Sequence, residues 1–307
     1  MKFAASLIFP LGLLCAVPAA ADTFSVWDEN DYWGRWSDKY YTNHTRLAYT
    51  RDSGETPGAH YFFSIGQEMY TPANKSAAIP PANDRPYAGF LYASAGFAEH
   101  SQNLLRAVEL QLGVVGPSAL AYECQRDYHN FIDEPYPSGW DSQIKDQAGI
   151  NLLSETRMRQ MLAGTLGEGY ASDLILRGFF SLGTVRTQLS GGAQIRYGIN
   201  LPNDFGFTTM RQGTSVVLKP EVPASLYVFA DFQADLNIYD VTLGGELLRE
   251  HDSDVYAYPL SAEFSFGIAA VYDNWSVMFF QSFRSRDFSS ADKTFFAFGG
   301  VRISYSF

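Results

Sequence analysis

From about Tyr41 to the C-terminus, apolar and polar side chains alternate in short runs separated by turn-rich stretches. The last run is the clearest. Val301, Ile303, Tyr305 and Phe307 fall on one face of an extended chain, and Arg302, Ser304 and Ser306 on the other. The same period recurs where Val108, Leu110, Leu112 and Val114 are set against Glu109, Gln111 and Gly113. It appears again where Ile195, Tyr197 and Ile199 are set against Gln194, Arg196 and Asn200, and in Phe264, Phe266 and Ile268. Such runs predict strands with an apolar, aromatic face and a polar face, the pattern of a sheet between lipid outside and a wet lumen inside. Stretches rich in Pro, Gly, Asn and Asp at 51–58, 71–85, 134–141 and 201–221 predict the connections. At about 24 residues for a strand plus its share of a loop, the chain holds roughly 12 strands. Tyr61, Phe62, Tyr256 and Tyr258, near strand ends, suit interfacial aromatic girdles.

The beginning of the chain gives this sheet a destination. Lys2 precedes an apolar run from Phe3 to Val17 and a small-residue stretch, Ala19 to Ala21, the layout of a secretory signal over residues 1–21 cleaved before Asp22. That run is too short for a membrane-spanning helix, which needs about 20 apolar residues. No later stretch reaches that length, although 46% of the residues are apolar and 16% aromatic. A bilayer offers no hydrogen-bond partners to a sheet edge, so a spanning sheet must close on itself. The expectation is an all-β chain: one closed antiparallel transmembrane barrel over residues 22–307, in the bacterial outer membrane. A final strand ending in Phe307 resembles the C-terminal signal read by the barrel-assembly machinery. With Cys15 in the signal, Cys124 is the remaining cysteine and no internal disulfide can form. The net charge of −11 argues against nucleic acid and requires local cations or a bridging divalent metal wherever the protein meets an anionic lipid or glycolipid.

One segment departs from the alternation. After Gly116-Pro117-Ser118, the run from Leu120 to Ile132 reads as a short helix in an extracellular loop, with Pro117 ending the preceding strand and Ser118 as N-cap. Such a helix would lie over one rim. Gln125 and His129 are four apart and share a face. An imidazole held by a polar partner is suited to take a proton from water near neutral pH.

Several motifs, in order, resemble the lipid A 3'-O-deacylase family of outer-membrane enzymes. They are Asn30-Asp31, Tyr41-Thr42, Tyr70-Thr71-Pro72-Ala73-Asn74-Lys75, Asp84-Arg85-Pro86-Tyr87-Ala88-Gly89, Gly116-Pro117, Gln125-x-x-x-His129 and Gly139-Trp140-Asp141-Ser142-Gln143. The resemblance implies a 12-stranded barrel that removes the 3'-linked acyloxyacyl chain from the lipid A of lipopolysaccharide, with calcium as cofactor. Carried over residue by residue, it implies His129, Gln125 and Asn30 as catalytic residues, Asp31 and Thr42 as metal ligands, and Lys75 and Glu134 as substrate-binding residues. This chain has Ser76 where related members can have arginine, and its interval from His129 to Glu134 is shortened by one residue.

The chemistry of those residues agrees with that implication. Ester hydrolysis needs an activated water, which His129 with Gln125 would supply, and positive charge at the developing oxyanion. Calcium prefers hard oxygen ligands such as Asp31, Asn30 and Thr42 provide. Lys75 would hold a phosphate or sugar oxygen. A serine mechanism has less support: no Gly-x-Ser-x-Gly elbow occurs, and Ser64 and Ser94 lack a histidine partner in the pattern. Two other functions share the scaffold, a passive porin or structural barrel and an outer-membrane phospholipase.

Overall fold

The computed structural model describes residues 22–35, 39–245, 253–291 and 295–307. The signal expected over residues 1–21 lies outside them. The strands are β1 (Thr23–Asn30), β2 (Tyr40–Asp52), β3 (Ala59–Thr71), β4 (Ala88–His100), β5 (Leu104–Val115) and β6 (Gln147–Thr165). They continue with β7 (Glu168–Gly183), β8 (Arg186–Ile199), β9 (Ala224–Asp240), β10 (Leu260–Tyr272), β11 (Trp275–Ser285) and β12 (Phe295–Ser306). Each pairs antiparallel with its neighbours in sequence. β12 returns to β1 with Thr23 opposite Ser306 and Asn30 opposite Gly299, so the barrel closes and no sheet edge is left unpaired.

Asp22 and Phe307 exchange backbone bonds of 3.1 and 2.9 Å at one end of the barrel, where the turns at 53–58, 101–103, 166–167 and 273–274 are short. The described residues of the long connections, 31–35, 39, 72–87, 116–146, 241–245, 253–259 and 286–291, gather at the other end. Outer-membrane barrels keep short turns on the periplasmic side and long loops outside, so the long-loop end is the extracellular one.

The alternation reads out as expected for most strands. Phe264, Phe266 and Ile268 face outward, while Glu109, Gln111 and Arg196 are buried inside. Phe62 does not join the aromatic girdle expected for it. Tyr61 and Phe63 on either side face outward, and the period of two turns Phe62 inward, where it packs with Phe205 and Leu218.

The lumen is not simply wet. Residues 200–223, a turn on the periplasmic side by topology, fold back into the barrel and bury Phe205, Phe207, Met210 and Val216 to Leu218. A backbone with no strand partner still needs every N–H and C=O satisfied, and the inward polar side chains do this. The Met210 N–H donates to Glu29 at 2.7 Å, the Ser215 N–H to Glu109 at 2.7 Å and the Val217 N–H to Thr50 at 3.1 Å, while Arg46 donates to the Met210 carbonyl at 2.9 Å. The polar faces that suggested a water-filled channel therefore bind a plug.

At the tip of the plug, Arg211 pairs with Asp287 at 2.6 Å and lies over the rings of Tyr41 and Tyr70. Burial by itself would raise the Asp287 carboxyl, but the Arg211 and Arg284 guanidiniums outweigh it and hold the group well below the usual carboxylate range. The stabilisation is therefore complete above a pH of about 4 and is lost as pH falls toward the depressed folded value. Arg211→Ala strands buried charge and is expected to cost about 3–5 kcal/mol. A lowered temperature for loss of heat-modifiable migration would register this, and an unchanged temperature would show that the plug tip contributes nothing to stability.

Candidate active site on the outer wall

Three rows of outward-facing positions cross strands β12, β1, β2, β3 and β4 near the extracellular end. The upper row is Gly299, Asn30, Asn43, Met69 and Gly89, each paired with the next in register. The middle row is Val301, Asp28, Thr45, Gln67 and Leu91. The lower row is Ile303, Val26, Leu47, Ile65 and Ala93, apolar throughout. At about 4.8 Å between strands, four spacings separate Gly299 from Gly89 by roughly 19 Å.

Both ends of the upper row are covered from outside. The short helix α1 (Tyr32–Arg35) folds down over β11 and β12, with Trp33 edge-on to Phe279 at 6.2 Å between ring centroids. The helix α2 (Ala121–Ile132) lies against β3 and β4. It packs on the outer wall rather than lying over the rim. Glycine permits this approach, since a Cβ on Gly89 would sit 2.6 Å from that of Ala121. Gly89→Val is expected to lift α2 from the wall and cut activity at least tenfold while the barrel still folds; unchanged activity would show that docking of the helix is unimportant.

α2 is inverted relative to an ordinary surface helix. Its buried stripe is Ala121, Gln125 and His129, whereas Tyr128 and Phe131 are 56% and 82% exposed. Ser118 does not cap it. A 3₁₀ turn over Pro117–Ala119 comes first, Leu120 enters the helix in a left-handed conformation, and the Ser118 hydroxyl donates instead to Asp146 at 2.7 Å. His129 Nδ1 lies 2.8 Å from the Pro135 carbonyl. Because that carbonyl can only accept, Nδ1 is the donor, and in the neutral ring this tautomer puts the lone pair on Nε2. Gln125 Oε1 accepts from the Trp140 indole N–H at 2.8 Å, while its Nε2 is buried with no hydrogen-bond partner among the described residues.

Asn30 and Asp31 lie at the same end, at the top of β1 and two strands from β3, with Thr42 on the intervening β2. Asn30 Oδ1 accepts from the Tyr32 N–H at 2.8 Å and so sets the turn into α1. Asp31 is buried, its N–H donates to the Thr42 carbonyl at 3.2 Å, and its carboxylate accepts from the Lys39 N–H. Thr42 is the extra residue of a β-bulge between Tyr41 and Asn43, and its hydroxyl meets that of Thr71 at 2.6 Å. Lys75 is half-buried, and its carbonyl accepts from the Ser138 N–H at 3.0 Å and the Tyr87 hydroxyl at 3.2 Å. Asp84 gathers the Ala73 and Asn74 N–H groups, so the two motif stretches brace each other. Glu134 is exposed, just past the helix, with its N–H on the His129 carbonyl at 3.0 Å. The rival serines are elsewhere: Ser64 and Ser94 face the lumen and bond each other at 2.7 Å.

The chain matches the model of a family described as outer membrane protein LpxR over residues 3–307. It belongs to the LpxR family. Among solved structures, LpxR from Salmonella typhimurium superposes with a TM-score of 0.80 at 19% identity, covering 93% of this chain and 100% of that one. The β domain of the Bordetella autotransporter BrkA (TM-score 0.44, 9% identity, 94% and 100% covered) and the KdgM porin (0.40, 9%, 94% and 99%) superpose much less well. A search of curated proteins finds no match. The LpxR-family assignment places the barrel in the outer membrane and matches the family that the motifs resemble.

For this LpxR-family chain the donor set around Asp31 consists of hard oxygens, which suit calcium rather than zinc or copper. The described residues hold no group of three or more His, Cys, Asp or Glu side chains able to bind a metal. Any calcium would therefore rely on the Asp31 carboxylate, the Thr42 oxygens, backbone carbonyls and water. Sequence reasoning missed Pro135 and Trp140 as the groups that orient His129 and Gln125. Trp140 was inside a quoted motif, but nothing local told of its indole reaching residue 125.

Proposed function

We propose that this chain is a calcium-dependent ester hydrolase that removes the 3'-linked acyloxyacyl chain from the lipid A of lipopolysaccharide. The observation that carries the reading is the inverted helix, which buries Gln125 and His129 against the lipid-facing wall and turns aromatic residues away from it. Burying a polar group is costly unless it is hydrogen-bonded, and Gln125 Nε2 has no partner among the described residues. A Gln–His stripe beside a surface that grades from polar to apolar supports chemistry on an amphiphile arriving sideways from the membrane. Below α2, an apolar groove lined by Ile65, Leu91, Ala93, Leu112 and Val114 suits an acyl chain.

In this reading His129 Nε2 takes a proton from water as the water oxygen bonds to the ester carbonyl carbon. The bond to the sugar oxygen then breaks, and the proton passes to that oxygen. Gln125, held by Trp140, offers its Nε2–H groups to orient the water. Asn30 sets the turn that carries Asp31, and Asp31 with Thr42 would hold the cation. Calcium, when bound, supplies positive charge to the developing oxyanion. Lys75 would pair with a phosphate or sugar oxygen, and Glu134 with a polar group of the sugar. Mass spectrometry of lipid A from cells with and without the protein tests this. Loss of one acyloxyacyl unit is expected; unchanged lipid A together with cleaved glycerophospholipid would make the protein a phospholipase instead.

A further inference from the structure

Between α1 and α2 the floor of the outer wall carries a polar cluster that the hydrolytic scheme leaves unused. Asp28 on β1 is directly opposite Thr45 on β2, one row below Asn30 and Asn43. Two residues along a strand put it about 7 Å closer to the hydrocarbon than Asn30. One carboxylate oxygen, Oδ2, accepts from Asn43 Nδ2 at 2.9 Å and from the Thr45 hydroxyl at 2.8 Å. Asn43 is itself held, donating to the Glu29 carbonyl at 3.2 Å and accepting a second contact from Thr45 at 3.2 Å. No bond from a described residue reaches the other oxygen, Oδ1. Immediately below are Val26 and Leu47, 41% and 36% exposed, so the carboxylate stands on the boundary between polar and apolar wall.

A charged side chain on the lipid face of a barrel is destabilising, the more so with depth. Here it is pre-positioned by two donors, with one oxygen left over in a low-dielectric surrounding where a hydrogen bond is strong. We propose that Asp28 is a substrate-positioning residue whose Oδ1 accepts a hydrogen bond from an N–H or O–H donor on the acylated sugar, beside the ester being cut. Glucosamine places an amide N–H on the carbon next to the one bearing the 3'-ester. A hydroxylated acyl chain places an O–H a few bonds further into the membrane. Either donor comes within reach when the sugar lies along the upper row and its chains run down over Val26 and Leu47. Thr45 and Asn43 act through Asp28, holding its rotamer.

This rests on the deacylase reading, and the test separates the two. Purified full-length protein is assayed on lipid A in mixed micelles. Absence of turnover by the wild-type protein defeats the deacylase reading itself. Given turnover, Asp28→Ala is expected to raise KM about tenfold or more, with kcat within about twofold and heat-modifiable migration intact, as for loss of a hydrogen bond to a charged group. Asp28→Asn, whose single acceptor oxygen stays with Asn43 and Thr45 and puts an amide NH2 in place of Oδ1, is expected to lose as much as Asp28→Ala. A synthetic acylated glucosamine with an ester in place of the amide, and another lacking the acyl hydroxyl, identify the donor. The penalty of Asp28→Ala vanishes with whichever analogue lacks it. An unchanged KM in Asp28→Ala, or a penalty that persists undiminished with both analogues, overturns the proposal.

Discussion

Replacing His129 by alanine is expected to lower lipid A deacylation by about 10²- to 10⁴-fold, the range lost with a general base. The barrel should be indifferent to the change, because α2 packs outside the wall, on β3 and β4 and against Met69, Tyr87 and Trp140. Heat-modifiable migration is therefore expected to stay unchanged, which separates chemistry from folding. His129→Gln keeps a polar group near the Pro135 carbonyl but cannot serve as a base, and is expected to be as inactive as the alanine variant. Trp140→Phe preserves the ring packing on Tyr87 while removing the 2.8 Å bond to Gln125, and is expected to cost about tenfold. Turnover retained in His129→Ala would remove the imidazole from the mechanism and leave α2 as a docking element only.

The second large effect concerns the cation. Chelation of divalent ions is expected to lower turnover by about 10²- to 10³-fold, the loss seen when oxyanion stabilisation is removed, with calcium restoring it. Zinc should not substitute, because Asp31 and Thr42 offer oxygen and no thiolate or imidazole. Asp31→Asn keeps an acceptor for the Lys39 N–H and the backbone bond to Thr42 while removing the charge. This variant is expected to need far more calcium for half-maximal activity, with a barrel as stable as before. Full activity in excess chelator would eliminate the metal and throw the oxyanion onto Lys75 or Gln125.

How much of this was legible beforehand depended on whether the information was local. The face of each strand followed from a period that the extended backbone imposes, so Val301 to Phe307 and Val108 to Val114 could be assigned residue by residue. The pairing of Gln125 with His129 was equally local, four residues along a helix. Phe62 was misassigned because membership of a girdle was inferred from residue type rather than from phase. Asp28 went unread because a single polar side chain on an outward strand position looks like an interruption of the alternation, and its partners Asn43 and Thr45 lie on the next strand.

By itself, then, the sequence determined a closed all-β barrel, the short helix within it and the family to which the chain belongs, because alternation, helix phase and motif order are properties of contiguous residues. Tertiary structure alone decided that residues 201–218 fill the lumen, that α2 lies on the outer wall, and that Pro135 and Trp140 orient His129 and Gln125. Those arrangements depend on which strands stand side by side after closure. Glu29, Glu109 and Arg46 bind the plug, and Gly89 admits the helix, only because folding brings them there from distant parts of the chain.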